Sequence, residues 1–207
     1  LVCDAEARNA LMSFGQIVLG PPGSGKTAYC HGMGEFLRGI GRKVAIVNLD
    51  PANDHVPYIP AVDISELISL EDACTEFDLG PNGGLMYCME FLEKNFDWLA
   101  GKIEEIQDYY VIFDCPGQVE LYTHHESTKN IVKKLAREGT NLTCVHLVDS
   151  YYCVTPFTFV SAVLLSLNTM LQLELPHVNV FSKIDLVEKY GKLDFSLEYY
   201  TDSSNLH

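Results

Sequence analysis

Gly20-Pro-Pro-Gly-Ser-Gly-Lys-Thr27 stands directly after the apolar run Gln16–Leu19 and opens a stretch of helical periodicity, Lys26–Arg38. Glycines in this spacing let the backbone curl until successive N–H groups converge, and the positive end of the following helix meets them there. Such a concavity suits an anion, and the pattern GxxxxGK[ST] suits the phosphates of a nucleoside triphosphate. Gly20, Pro22, Gly23, Ser24, Gly25 and Ala28 would form the cradle. Lys26 would reach the β- and γ-phosphates, and the Thr27 hydroxyl would ligate Mg²⁺. The plainer alternative is a Gly/Pro turn that happens to precede a helix. Every fixed position is filled between a strand and a helix, which favours the phosphate loop. Position 21 is Pro, so the second lysine of the deviant form of this motif is absent.

A strand, a phosphate loop and a helix in that order commit the chain to an α/β architecture. Five β-rich runs, Gln16–Leu19, Lys43–Asp50, Tyr109–Asp114, Thr143–Asp149 and His177–Ser182, are nearly continuous in apolar residues. Strands buried on both faces read this way. Helical spacing lies between them, over Lys26–Arg38, Leu85–Leu99, His125–Arg137 and Pro156–Leu173. The alternation predicts a doubly wound, mostly parallel sheet with helices on both faces. A chain of 207 residues is long enough for one such domain and short for two. The expected organisation is a leader over 1–12, with Met12 a natural start candidate, and a nucleotide domain over 13–207.

Two further segments bear on the nucleotide. Asp114-Cys-Pro-Gly-Gln118 closes the third run. There Asp114 would hold Mg²⁺ through water, Gly117 would offer its N–H to the γ-phosphate, and Gln118 would orient the attacking water. A strand-ending Pro-Gly turn is the alternative. Asp50, in Asn48-Leu-Asp-Pro-Ala, sits at the tip of the second run as a further Mg²⁺ candidate, or as an Asp-Pro turn. Ser182-Lys183-Ile184-Asp185 follows the fifth run. An Asp there accepts from N1 and N2 of guanine, a donor pair adenine lacks, while the lysine stem lies over the base. Where the usual motif has Asn or Thr, this chain has Ser182. Alone the tetrapeptide also suits an exposed charged turn; its place after the phosphate loop favours the base site.

Charge narrows the partners. With 28 Asp and Glu against 14 Lys and Arg, the chain is ill suited to direct nucleic-acid binding. Seven cysteines without a CxxC pair fall mostly in apolar segments, as reduced thiols of a cytosolic or nuclear protein do. No stretch approaches about twenty uninterrupted apolar residues, so no membrane span is expected. The first residues lack the apolar region of a signal peptide.

Gly80-Pro-Asn-Gly-Gly84 contains the hairpin signal Asn-Gly. Leu85, Met89, Leu92, Phe96 and Leu99 follow at helical spacing, so the segment reads as a loop with a helix behind it. With Gly20–Thr27, Asn48-Leu-Asp-Pro-Ala-Asn53, Gly80-Pro-Asn82, Asp114-Cys-Pro-Gly-Gln-Val-Glu120 and Ser182-Lys-Ile-Asp185, the sequence resembles the GPN-loop GTPases. The resemblance runs from about Phe14 to Thr201 and includes the family's own motif.

The resemblance implies a homodimer, or a heterodimer with other GPN-loop GTPases, in which each subunit's Asn82 reaches the partner's nucleotide. It implies GTP and GDP as ligands with Mg²⁺, slow hydrolysis, and Asp114, Gln118 and Glu120 as catalytic residues beside Asn82. It further implies RNA polymerase subunits or assembly factors as partners, and a cytoplasmic protein able to shuttle to the nucleus. Slow turnover is consistent with the sequence, since the arginines Arg8, Arg38, Arg42 and Arg137 all lie outside the motif loops. An arginine finger contributes roughly 10³–10⁵ in rate. The family continues with a further strand and C-terminal helices, so the domain is expected to be incomplete at its C-terminus. Two alternatives stand beside the GTPase: a truncated, weakly active paralogue acting as a dimer-binding module, and an ATP-dependent P-loop kinase.

Overall fold

The computed structural model describes residues 13–53, 55–191, 193 and 197–201; the expected leader at 1–12 and the polar end at 202–207 lie outside the described residues. The strands are β1 (Ser13–Leu19), β2 (Val44–Asn48), β3 (Val62–Asp63), β4 (Tyr110–Asp114), β5 (Thr140–Asp149) and β6 (His177–Ser182). The helices are α1 (Lys26–Gly39), α2 (Leu70–Phe77), α3 (Pro81–Lys94), α4 (Phe96–Glu104), α5 (Glu120–Thr123), α6 (Glu126–Arg137), α7 (Pro156–Leu173), α8 (Val187–Tyr190) and α9 (Leu197–Thr201).

The six described strands form one sheet in the order β3-β2-β4-β1-β5-β6, with every pairing parallel. Alternation along the strands divides the core. Ile17, Leu19, Val47 and Phe113 face α3, α4 and α6. Val18, Ile46, Ile112 and Val145 belong to the opposite cluster with Cys30 of α1. Both faces of β1, β2 and β4 are covered, in keeping with their continuously apolar sequences, whereas no residue of β6 is fully buried and Val178 is 50% exposed, against the burial its sequence predicts. The order reverses direction between β4 and β1, and the carboxyl ends of those strands, Asp114 and Leu19, open onto the phosphate loop. Ligands of doubly wound sheets bind at such a switch point.

The chain departs from its sequence pattern around the Gly-Pro-Asn segment. The helix starts at Pro81 rather than Leu85, with Gly80 as its N-cap, so Asn82 lies in the first helical turn and not in a preceding loop. Proline suits this position because its fixed φ is helical and its missing N–H has no partner to lose. The expected continuous helix to Leu99 also breaks at Asn95, where φ is −106° and ψ 35°. There Asn95 Nδ2 donates to the Phe91 carbonyl at 2.8 Å, and α4 begins afresh. Strand β3 and the short helices α2, α5, α8 and α9 are additions to the sequence reading. Helix α2 packs against α3 at Gly84, where a Cβ would stand 2.5 Å from Cys74 Sγ and 2.9 Å from Leu70 Cδ1.

Helix α7, with 18 residues of mean hydropathy 1.4, is long and apolar enough to cross a membrane by length and composition alone. Its connections argue otherwise. It is the crossover between β5 and β6, which pair from Cys144–His177 to Asp149–Ser182. A helix tied at both ends to neighbouring parallel strands lies along the sheet. Its outer face stays apolar and open, with Phe157 85% and Leu171 65% exposed.

Candidate nucleotide site

The loop from Gly20 to Thr27 is built on left-handed backbone. Gly20, Gly23 and Gly25 have φ of 147°, 74° and 92°, values that side chains with a Cβ rarely adopt. Gly20 is also sterically fixed, since a Cβ there would meet the Leu147 carbonyl at 2.7 Å and Ser24 Oγ at 2.8 Å. Helix α1 then starts at Lys26 with no side-chain cap, leaving its first N–H groups to the loop's interior. Lys26 is 7% exposed, and its Nζ donates to the Pro21 carbonyl at 3.3 Å. Ser24 Oγ is buried without a hydrogen-bond partner among the described residues. A cradle of free amides, an unpaired buried hydroxyl and a buried ammonium suits a polyphosphate.

Beside the loop, β4 ends in Asp114, which is 1% exposed. Its Oδ2 accepts from the Tyr58 hydroxyl at 2.7 Å, while Oδ1 has no hydrogen-bond partner among the described residues. Burial pushes its carboxyl above the usual range; the Tyr58 and Thr27 hydroxyls, the Lys26 charge and the Cys30 thiol act in the other direction. Asp50 is raised in the same way by burial, against the Ala52 amide, which donates to Asp50 Oδ1 at 3.0 Å. Lys26 is lowered by burial, and Asp114 and Asp50 oppose the shift. Thr27 Oγ1 accepts from Asn53 Nδ2 at 3.0 Å. One ammonium, one buried and one half-buried carboxylate and a hydroxyl thus gather at the helix N-terminus. An oxygen-rich set with an unpaired carboxylate oxygen is suited to a hard divalent cation.

Past β4 the chain crosses back against the loop. A Cβ on Gly117 would lie 3.0 Å from Lys26 Nζ and 3.1 Å from Pro22 Cα, so only glycine allows this approach. Gln118 Oε1 is buried without a partner among the described residues. Glu120 is exposed at the start of α5, and Asn82 is exposed at the start of α3. The structure therefore gathers Lys26, Thr27, Asp50, Asp114 and Gly117, and leaves Asn82 and Glu120 on the surface of this chain.

The turn after β6 carries the base candidates. Lys183 has φ of 55°, and its Nζ donates to Asp149 Oδ2 at 2.7 Å. The Lys183 carbonyl accepts from Ser150 Oγ at 2.9 Å, and Ser182 Oγ donates to the Val148 carbonyl at 3.4 Å. These bonds lock the turn to the end of β5 and leave Asp185 exposed on it. Tyr58, Asn53 and Asp149 escaped the sequence reading. Asn53 and Tyr58 follow Asp50 within eight positions, and Asp149-Ser150 closes a strand beside the motif strands. Proximity to motif ends was the available signal.

A cavity of about 520 Å³ lies elsewhere, lined by Val148, Phe159, Val163, Val180, Phe181 and Tyr199, with no phosphate-loop residue in its wall.

Residues 18–207 match a family model described as "Conserved hypothetical ATP binding protein". The chain is 60% identical over 195 residues to GPN-loop GTPase 2 of Danio rerio, covering 94% of this chain and 63% of that one. It is 56% identical over 195 residues to the GPN-loop GTPase 2 homolog of Dictyostelium discoideum, covering 94% of this chain and 62% of that one. The chain thus spans less than two thirds of these relatives. Among solved structures it is similar to a GTPase in apo form from Pyrococcus abyssi, with a TM-score of 0.74 and 27% identity over 87% of this chain and 71% of that one.

Proposed function

The chain belongs to the family described as conserved hypothetical ATP binding proteins and, by its 56% and 60% identity to two GPN-loop GTPase 2 sequences, to the GPN-loop GTPases; from that premise we infer that it binds GTP and hydrolyses it slowly.

The observation that carries this reading is the placement of two anchored turns at the same carboxyl edge of the sheet. One is the Gly20–Thr27 cradle with its buried Lys26; the other is the Lys183 turn, tied to Asp149, that presents Asp185. Lys26 and the loop amides bind the phosphates. Thr27, Asp114 and Asp50 would hold Mg²⁺, which when bound would neutralise phosphate charge. Gly117, pressed against Lys26, brings its amide to the terminal phosphate, and Gln118 positions the water. Asp185 accepts from guanine N1 and N2, and adenine leaves that carboxylate unpaired. Positioning and charge stabilisation are what this reaction needs from a protein.

The family description names ATP, whereas the relatives are named GTPases. Asp185 favours guanine. Replacing Asp185 with Asn should shift preference from guanine toward xanthine nucleotides, whose C2 edge suits an amide. Equal loss for all purines would make Asp185 structural and reopen the ATP-dependent reading. The family resemblance extends the proposal to a dimer with Asn82 acting in trans, and to assembly of RNA polymerase in a cytoplasmic, shuttling role. The exposed position of Asn82 supports action on a partner's nucleotide, and the acidic charge balance supports protein rather than nucleic-acid clients.

A further inference from the structure

We propose that Tyr58 is a positioning residue of the nucleotide site: it holds the Asp114 carboxylate through Oδ2 and so reserves Oδ1 for the metal-bound water of a Mg²⁺–guanine nucleotide. The inference rests on the nucleotide reading above.

The geometry is specific. Tyr58 lies 56 positions before Asp114 in sequence, and its hydroxyl makes a well-formed 2.7 Å hydrogen bond to Oδ2. Its ring belongs to the cluster formed by Val18, Cys30, Ile46 and Ile112 and is 7% exposed, so the hydroxyl is delivered by a fixed ring rather than a swinging arm. Three residues later the Ala61 N–H donates to the Ile46 carbonyl at 2.8 Å, and β3 then pairs with β2, which pins the segment to the sheet.

The carboxylate needs such a partner. A buried, ionised carboxyl is costly unless hydrogen-bonded, and Asp114 is almost fully buried with Oδ1 unpaired. The Tyr58 bond fixes the carboxylate's rotamer and excludes those that turn Oδ1 into the core. The Thr27 hydroxyl and the Cys30 thiol also act on this carboxylate, and Tyr58 makes the 2.7 Å bond that fixes Oδ2.

The test uses full-length protein and Tyr58→Phe, which keeps the ring and removes the donor. Dissociation constants for a fluorescent GDP are measured in Mg²⁺ and in EDTA, and their ratio is the readout. Tyr58→Phe should leave the EDTA value within about two-fold and cut the Mg²⁺ enhancement about ten-fold, in line with losing a hydrogen bond to a charged group. In an Asp114→Asn background the same change should leave the ratio unaltered. A ratio equal to wild type, or equal weakening in both buffers, overturns the positioning role, the latter pointing to packing alone. Wild-type protein that binds no guanine nucleotide in either buffer overturns the nucleotide reading itself, and this inference with it.

Discussion

Lys183 Nζ donates to Asp149 Oδ2 at 2.7 Å across 34 positions of sequence, tying the turn after β6 to the end of β5. The same Asp149 accepts from the Tyr151 N–H at 2.9 Å through its other oxygen, so the carboxylate is itself held. This bond steadies the lysine stem that is to lie over the base. The pair is partly exposed, and pairs of that kind contribute little to stability, at most about 1 kcal/mol. Asp149→Ala should therefore melt within a few degrees of wild type while binding GTP about ten-fold more weakly. Calorimetry and thermal unfolding on one preparation check this. Lost stability with unchanged affinity would give the pair a purely structural role.

Asp114 and Asp50 carry a pH signature. Both carboxyls are raised above their ordinary 3.8, chiefly by burial. A raised folded pKa means the folded state holds the proton more tightly, so this stability is fully present below 3.8 and is lost as pH rises through the raised values. Nucleotide-free protein should therefore lose stability from these groups as pH rises above about 4. Asp114→Asn removes one of them. It should flatten that fall while losing Mg²⁺-dependent nucleotide binding. Denaturant unfolding at several pH values reads the slope directly.

Gly117→Ala tests the approach of the segment after β4 to the phosphate loop. The added Cβ would meet flexible Lys26 Nζ at 3.0 Å but also the backbone of Pro22 at 3.1 Å. The loop has to give, so the variant should fold, bind GTP at least ten-fold more weakly, and hydrolyse it more slowly at saturation. Wild-type affinity and rate would show that the segment moves freely from the loop.

Asn82 is exposed in the first turn of α3, and among the described residues no hydrogen bond joins it to its own phosphate loop. Asn82→Ala should keep GTP affinity within about two-fold and lose most hydrolysis. Mixing it with Gln118→Ala protein should restore part of the turnover, because a mixed dimer carries one site with both side chains intact. No rescue in demonstrably mixed dimers would place Asn82 in its own site, or outside catalysis.

The strongly periodic elements were legible. Helix α7 and strand β6 have the same ends in the structure as in the sequence pattern, and α1 differs by one residue. The break at Asn95 was not, because Leu85, Leu92, Phe96 and Leu99 keep one apolar face through both helices and burial alone does not register the bend. Helix α2 was hidden by its shortness and acidic first turn, where Ser69 Oγ accepts from the Asp72 N–H at 3.0 Å. Motif residues could be placed because phosphate chemistry dictates their spacing locally. Tyr58 and Asp149 could not, since a tyrosine in a core and a strand-ending aspartate are ordinary until the fold brings a carboxylate or a lysine to them.

The central claim is that the cradle at Gly20–Thr27 and the turn at Asp185 together select a guanine nucleotide. Calorimetric titration of the purified protein with GTP and with ATP, each in Mg²⁺, tests it most directly. The account predicts saturable GTP binding, with ATP at least a hundred-fold weaker, since a missing donor pair leaves a carboxylate unpaired. Equal binding of the two nucleotides, or tighter binding of ATP, would contradict it.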